Sequence, residues 1–202
     1  MNIMNLFNEE QKIALNFVKE NMLVEMICEI DKIHDDRMSL NLPQYFMRYI
    51  DYLQPGSAIT AKVFSKLGTI DFNTVIITSP LEENFSIELD YNSIKLTPGE
   101  DLPVISAIEN IDIIKNFEKI NLKTFEISTE YIKFYSDNNF NLEENIDCIL
   151  KLPKSYGEID FKATITEIDE VYSNEYTANY TTMTENNRQT LLYYMYMYTK
   201  ED

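Results

Sequence analysis

Alternating apolar and polar positions run through most of the chain and predict a protein built mainly of β-strands. In one segment, apolar Val24, Met26, Cys28 and Ile30 alternate with acidic Glu25, Glu29 and Asp31, which is typical of a strand with one buried face. The same period-two pattern recurs at residues 59–63, 146–152 and 159–165. Short strands at regular spacing, separated by turn residues, favour antiparallel barrels.

Two segments have the three-to-four residue spacing of an amphipathic helix instead. The first is Asn8 to Glu20, where Asn8 is placed to cap the helix and Gln11 to complete a capping box. The second covers residues 185–198 and begins after Thr184, a good N-cap. The apolar faces would consist of Ile13, Ala14, Phe17 and Val18 in the first helix and of Leu191, Leu192, Met195 and Tyr198 in the second.

The segment "DYNSIKLTPGEDLP", at residues 90–103, separates two groups of strand patterns. It contains one glycine and two prolines, and its apolar positions have no regular period. We therefore expect two domains, at residues 1–92 and 104–202, with residues 93–103 as a stiff connection.

Composition and charge narrow the classes of partner. The chain has 202 residues, of which 45% are hydrophobic, and its 34 acidic and 17 basic residues give a net charge of −17. Such a surface repels nucleic acids and anionic lipids. The charged residues within the first dozen positions do not fit an ordinary signal peptide, and no apolar run approaches the roughly 20 residues that span a bilayer. We expect a cytoplasmic protein without membrane insertion.

Residues that could carry chemistry are few. Cys28 and Cys148 fall at apolar strand positions, which predicts two buried thiols and no disulfide. His34 is the one histidine and lies in the charged turn "HDDR". Because no metal-ligand spacing, phosphate-binding loop or nucleophile motif is present, we expect no enzyme activity, no cofactor and no metal. A metal-assisted hydrolase built around His34 is the alternative from the enzyme class.

Several phrases resemble the two-domain YcgR-like proteins, which pair an N-terminal split-barrel domain with a PilZ domain. Within residues 22–89 these are "EIDKIHDDRMSLNLP" and "LQPGSAITAKVF". Within residues 104–198 they are "LKTFEISTEYIKFYS", "NLEENIDCILKLPKSYGEIDFKATITEID" and "NNRQTLLYYMYMY". The resemblance implies a bacterial, mainly β protein of two antiparallel β-barrel (split-barrel) domains, with an N-terminal and a C-terminal α-helix. By family analogy, it also implies a partner in the flagellar motor or type IV pilus machinery.

The family binds cyclic di-GMP through an RxxxR motif and a DxSxxG motif, and this chain departs from both. No arginine lies between Arg48 and Arg188, so RxxxR is absent. Glu126, Ser128 and Tyr131 stand at the aspartate, serine and glycine positions of DxSxxG. Without guanidinium groups for the phosphates, and with a ring in place of glycine, we expect no binding of cyclic di-GMP in the family's manner.

The resemblance and the missing motifs together predict a non-catalytic protein-interaction or scaffold protein of cyclic di-GMP signalling. The alternative is a cyclic di-GMP receptor with a non-standard site. Tyrosine and methionine are typical of interface cores, so the run "YYMYMY" predicts an interaction surface, with a second copy of the chain as the simplest partner. Its residues are Tyr193, Tyr194, Tyr196 and Tyr198.

Overall fold

The chain folds into two compact units, residues 2–100 and residues 101–202. The computed structural model describes residues 3–65, 67–82, 84–100, 103–115, 117–153, 155–169, 171 and 174–201. Each unit contains a seven-stranded antiparallel sheet, which confirms the mainly β fold class predicted from the alternating pattern. Within the described residues, none of the helices combines the length and the apolar character that a membrane-spanning helix needs.

The first unit is a single curled sheet with strand order β6-β3-β2-β1-β4-β5-β7. An isolated bridge joins Ile76, which directly follows β5, to Ile87 of the edge strand β6, so the sheet curls back on itself. A 3₁₀ helix at Ile3–Leu6 precedes the sheet, and a long 3₁₀ helix at Gln44–Tyr52 connects β3 to β4. The strands are β1 Lys12–Lys19, β2 Met22–Ile33, β3 Arg37–Asn41, β4 Ala58–Ser65, β5 Gly68–Val75, β6 Ser86–Glu88 and β7 Lys95–Pro98.

The predicted N-terminal α-helix is wrong, because its apolar residues lie in strand β1. Ile13 and Phe17 are one helical turn apart, but with Leu15 they also follow the period of a strand, and all three are buried in the sheet. The spacing of apolar residues alone therefore does not distinguish a helix from a strand in this segment.

Backbone conformation decides between them. The amide of Asn8 does donate to Gln11 Oε1 at 3.0 Å, as a capping box requires. Glu10 then adopts a positive φ of 65°, which ends any helix at its first turn. Glu20 and Asn21 also have positive φ, 50° and 66°, and form a two-residue turn into β2 of the kind that matches strand twist.

Part of the expected connection belongs to the first sheet. Residues 95–98 form β7, which pairs with β5 in the register Gly68↔Pro98 to Asp71↔Lys95. Gly68 makes this approach possible, because a Cβ there would lie 2.0 Å from the carbonyl oxygen of Thr97. The apolar spacing gives no sign of this strand because only Leu96 among its four residues is a large apolar residue.

The second unit is a closed barrel with one helix. Strands β9 to β14 form a closed ring of six, because β11 pairs with both β10 and β14, while β8 pairs with the end of β10 outside the ring. The strands are β8 Val104–Ile105, β9 Asn110–Lys115, β10 Glu118–Ser128, β11 Tyr131–Tyr135, β12 Asn145–Lys151, β13 Glu158–Asp169 and β14 Glu175–Met183. Alternate residues of these strands fill the barrel, among them Ile111, Ile127, Ile132, Phe134 and Ile165.

The C-terminal helix α1, Glu185–Glu201, confirms the prediction for this end of the chain. Thr184 caps it, since its Oγ1 accepts a hydrogen bond from the Asn187 amide at 3.2 Å. Leu191, Tyr194 and Met195 join the core of the second unit, so that the helix packs on the barrel.

Candidate functional site

The site that the sequence singles out is the turn between β10 and β11. Strand β10 ends at Ser128 and β11 begins at Tyr131, so the connection is Thr129-Glu130. Ser128 Oγ accepts a hydrogen bond from the Glu130 amide at 3.1 Å, which closes the turn on itself. The serine is fully buried. Its hydroxyl therefore holds the backbone of the turn and is not presented to solvent.

Strand β14 fixes the turn from the other side. The Tyr180 amide donates to the Glu130 carbonyl at 2.8 Å, and the Tyr180 hydroxyl donates to the Ser128 carbonyl at 3.2 Å. Burial raises the pKa of the Tyr180 hydroxyl well above its usual value. It therefore stays protonated, and remains a donor to Ser128, throughout the neutral range. Two strands thus hold the turn in one conformation.

Glu126, Tyr131 and Lys133 form a closed polar cluster on the barrel beside the turn. The Tyr131 hydroxyl donates to Glu126 Oε1 at 3.0 Å, and Lys133 Nζ lies 3.4 Å from the same oxygen. The lysine also lies 5.8 Å from the centre of the Tyr131 ring. Glu126 and Lys133 are direct cross-strand partners, and their side chains are 25% and 26% exposed. The strand register alone brings these three side chains together.

The surroundings of the Tyr131 hydroxyl in this cluster keep it protonated. Burial raises the pKa of Tyr131, and its hydrogen bond to Glu126 and the charges of Glu126 and Glu167 raise it further. The tyrosine therefore acts as a neutral donor to a carboxylate. Lys133 is the cation of this cluster, and Glu126 already neutralises it. A phosphate approaching this position meets carboxylates and a ring.

One polar group of the turn has no partner within the described residues. The Thr129 hydroxyl is buried and makes no hydrogen bond there. A buried hydroxyl without a partner costs about 1–3 kcal/mol. Thr129 is not one of the residues that the sequence motif would have selected.

The predicted interaction tyrosines lie on α1, and three of the four, Tyr193, Tyr194 and Tyr196, are buried. The Tyr194 hydroxyl donates to Glu109 Oε1 and the Tyr198 hydroxyl to the Ser106 carbonyl, both at 2.6 Å. These contacts hold α1 to the segment between β8 and β9. The rings are therefore already covered, and an interaction surface built on them stays a prediction.

The other residues that could carry chemistry, His34, Cys28 and Cys148, are not part of this turn. His34 is exposed in the β2–β3 turn, where its amide bonds the Arg37 carbonyl at 2.8 Å. Among the described residues, no three metal-ligating side chains converge on one point. Cys28 and Cys148 are free and buried, as predicted, and burial raises the pKa of each thiol to about 12. At neutral pH both are unreactive thiols.

The solved structures that resemble this protein match nearly the whole of its chain. No protein-family model matches the sequence, and no curated protein matches it. Among solved structures, the Bacillus subtilis inhibitor of motility (MotI/DgrA) is 16% identical, with a TM-score of 0.45 over 97% of this chain and 99% of that one. Escherichia coli YcgR in complex with c-di-GMP is 12% identical, with a TM-score of 0.45 over 95% and 85%.

A third structure, the Borreliella burgdorferi PlzA protein in complex with c-di-GMP, is 11% identical, with a TM-score of 0.39 over 96% of this chain and 90% of that one. At such identities and scores the similarity assigns no ligand or partner to this chain. The structures found include YcgR itself, the protein whose two-domain type the sequence resembles.

Proposed function

We propose that this protein is a non-catalytic, PilZ-like interaction protein of the bacterial cytoplasm that does not bind cyclic di-GMP at the β10–β11 turn. It acts through contacts with other proteins, and components of the flagellar motor or type IV pilus machinery are the partners to test first. The predicted domains at residues 1–92 and 104–202 would then be a YcgR-like domain and a degenerate PilZ domain, respectively. The observation that carries the proposal is the closed cluster of Glu126, Tyr131 and Lys133.

The first supporting argument concerns space and hydrogen-bonding capacity. In the motif that the sequence resembles, an acidic residue and a serine offer polar contacts, and a glycine leaves room for the ligand. Here Glu126 is bonded to Tyr131, Ser128 is buried and bonded to its own turn, and the ring of Tyr131 occupies the glycine position. A ligand would have to break these contacts before it made any of its own.

The second supporting argument concerns charge. The chain has three arginines, at positions 37, 48 and 188, so no two of them have the spacing of an RxxxR motif. A hydrogen bond to a charged group contributes about 1.5–3 kcal/mol. Loss of several such bonds removes most of the roughly 8 kcal/mol that micromolar binding represents. A net charge of −17 adds repulsion of a doubly anionic ligand.

Calorimetric titration of the full-length chain with cyclic di-GMP tests the negative half of the proposal. We expect no saturable heat at ligand concentrations up to about 1 mM, which corresponds to less than about 4 kcal/mol of binding. The double variant Glu126→Asp with Tyr131→Gly restores the turn motif but supplies no arginine, and it too should be silent. A saturable heat with the unaltered chain would refute the proposal and favour a non-standard receptor.

Affinity purification from the native cytoplasm tests the positive half. The tagged full-length chain should enrich motor or pilus proteins above an unrelated acidic protein of similar net charge, since charge alone also attracts basic proteins. Light scattering on the purified chain tests the second-copy alternative, because a homo-oligomer has twice the mass or more. A monomer that retrieves the same proteins as the acidic control would contradict a scaffold role.

A further inference from the structure

Two tyrosine rings lie within 6 Å of the ammonium group of Lys19 in the first unit, and the ring of Phe17 packs against both of them. Lys19 Nζ lies 5.4 Å from the ring centre of Tyr49 and 5.9 Å from that of Tyr52. Phe17, two residues before Lys19 on the same face of β1, contacts Tyr49 edge-on at 5.6 Å and stacks on Tyr52 at 6.1 Å. We call Phe17, Tyr49 and Tyr52 the aromatic box. Rings at these distances from a cation attract it through their quadrupoles.

Rings, and not a carboxylate, hold this ammonium. Within the part of the chain that the structure describes, Lys19 forms no ion pair, although acidic residues outnumber basic ones by 34 to 17. By contrast, six other lysines pair with carboxylates: Lys62, Lys115, Lys119, Lys133, Lys151 and Lys162. The aromatic box is thus a site whose chemistry selects a cation.

Two residues of the aromatic box, Phe17 and Tyr52, also help to line a groove of about 660 Å³ in the same unit. Asp51 also lines this groove. Val18 and Leu23, which line it as well, are 61% and 74% exposed. Exposed apolar walls with one carboxylate suit a side chain that has an apolar stem and a cationic head.

The segment that carries two of the rings is able to adjust. Tyr49 and Tyr52 belong to the long 3₁₀ helix, which spans nine residues, whereas 3₁₀ runs beyond three or four residues are uncommon. None of its residues is buried. Few buried contacts oppose a shift of this helix. Tyr49 and Tyr52 therefore have room to move when one cation replaces another beside their rings.

We propose that the aromatic box and its groove bind a lysine side chain from a basic segment of a partner polypeptide, and that Lys19 occupies the box until the partner displaces it. Charge complementarity selects this occupant, since a chain of net charge −17 attracts basic segments and repels acidic ones. The inference rests on the proposed function in so far as that function needs a protein partner. Its test uses no nucleotide, so a failure of this inference is distinguishable from a failure of the proposed function.

The test is fluorescence anisotropy of a labelled peptide of alternating lysine and glycine, titrated with the full-length chain. Tyr52→Leu removes a ring and should weaken binding about threefold to tenfold, the range expected for one cation–π contact. Tyr52→Phe keeps the ring and should bind within twofold of the unaltered chain. Lys19→Met removes the internal competitor and should tighten binding about threefold or more.

A matched control separates ring contacts from overall charge. Tyr135→Leu removes a ring that is stacked on Phe125 in the second unit and is 47% exposed. It should leave peptide binding unchanged, and circular dichroism should report native folding for each variant. Equal binding by Tyr52→Leu and the unaltered chain would overturn the proposal. Equal weakening in Tyr52→Phe and Tyr52→Leu, or no gain in Lys19→Met, would overturn it as well.

Discussion

Replacing Gly68 with alanine should detach strand β7 from the first sheet. Gly68 has a φ of 142°, and an added Cβ would lie 2.0 Å from the Thr97 oxygen, 2.7 Å from the Gly99 nitrogen and 2.9 Å from the Pro98 carbonyl carbon. All three are backbone atoms, so no side-chain rotation relieves the overlap. The strand would have to move away by more than 1 Å to reach the ordinary contact distance of about 3.4 Å.

The cost follows from the contacts that this movement breaks. The Gly99 amide donates to the Leu67 carbonyl at 2.9 Å, and four residue pairs join β5 to β7. Loss of two or three backbone hydrogen bonds costs about 1 kcal/mol each. The strained φ of an alanine adds about 1–2 kcal/mol. We expect the free energy of unfolding of the first unit to fall by about 3–5 kcal/mol.

Gly56→Ala is the matched control, because Gly56 also has a positive φ, 87°, but nothing lies within 4 Å of its Cβ position. It should cost only the backbone strain of about 1–2 kcal/mol. Urea unfolding gives both free energies, and hydrogen exchange of residues 95–99 reports whether β7 has opened. If Gly68→Ala costs no more than Gly56→Ala, residues 95–98 are a connection and the β5–β7 pairing is wrong.

Three further predictions concern the second unit. Tyr131→Phe removes the hydroxyl that bonds Glu126 and should cost about 1 kcal/mol in urea unfolding. Thr129→Val removes a buried hydroxyl without a partner in the described residues and should change stability by less than about 1 kcal/mol, or increase it. Burial raises the pKa of Asp112, but the two lysines bonded to it outweigh that effect and lower the pKa below its usual value. The resulting stabilisation is present at neutral pH and is lost as pH falls from about 4 through the lowered pKa, so Asp112→Asn should flatten the acid limb of a pH–stability curve.

Each of these predictions is open to contradiction. An unchanged unfolding free energy in Tyr131→Phe would mean that the Glu126 cluster is not formed in solution. A loss of more than about 2 kcal/mol in Thr129→Val would mean that the hydroxyl has a partner. An acid limb of the same steepness in Asp112→Asn would show that its two ion pairs do not stabilise the folded state, and Asp147→Asn is the control, since that carboxylate is 54% exposed in its ion pair.

The sequence predicts elements well where one face of a strand is buried and the other is polar. Strand β12 is such a case, because its buried positions alternate with exposed or half-buried ones. Strand β1 is not, since Ile13 and Phe17 fit a helix and a strand equally, and the decision rests on the positive φ of Glu10. Glutamate rarely adopts a positive φ, so its intrinsic conformational preference does not predict the conformation of Glu10.

In the candidate site, too, some contacts are predictable from the sequence and others are not. The contact between Glu126 and Tyr131 crosses a two-residue turn, so sequence spacing already predicts that these side chains are close. The hydrogen bond from the Tyr180 hydroxyl to the Ser128 carbonyl spans 52 residues, and Lys19 meets Tyr49 across 30 residues. Contacts of that range depend on how the sheets close, which no local pattern encodes.

Two-dimensional amide NMR during titration with cyclic di-GMP tests the central claim most directly, because it reports on the turn itself. The claim is that the Glu126–Tyr131–Lys133 cluster leaves no site for the nucleotide. The amide resonances of Ser128 to Tyr131 should remain in place up to about 1 mM ligand, a concentration that detects even weak binding of about 4 kcal/mol. A saturable shift of these resonances, abolished by Ser128→Ala, would contradict it.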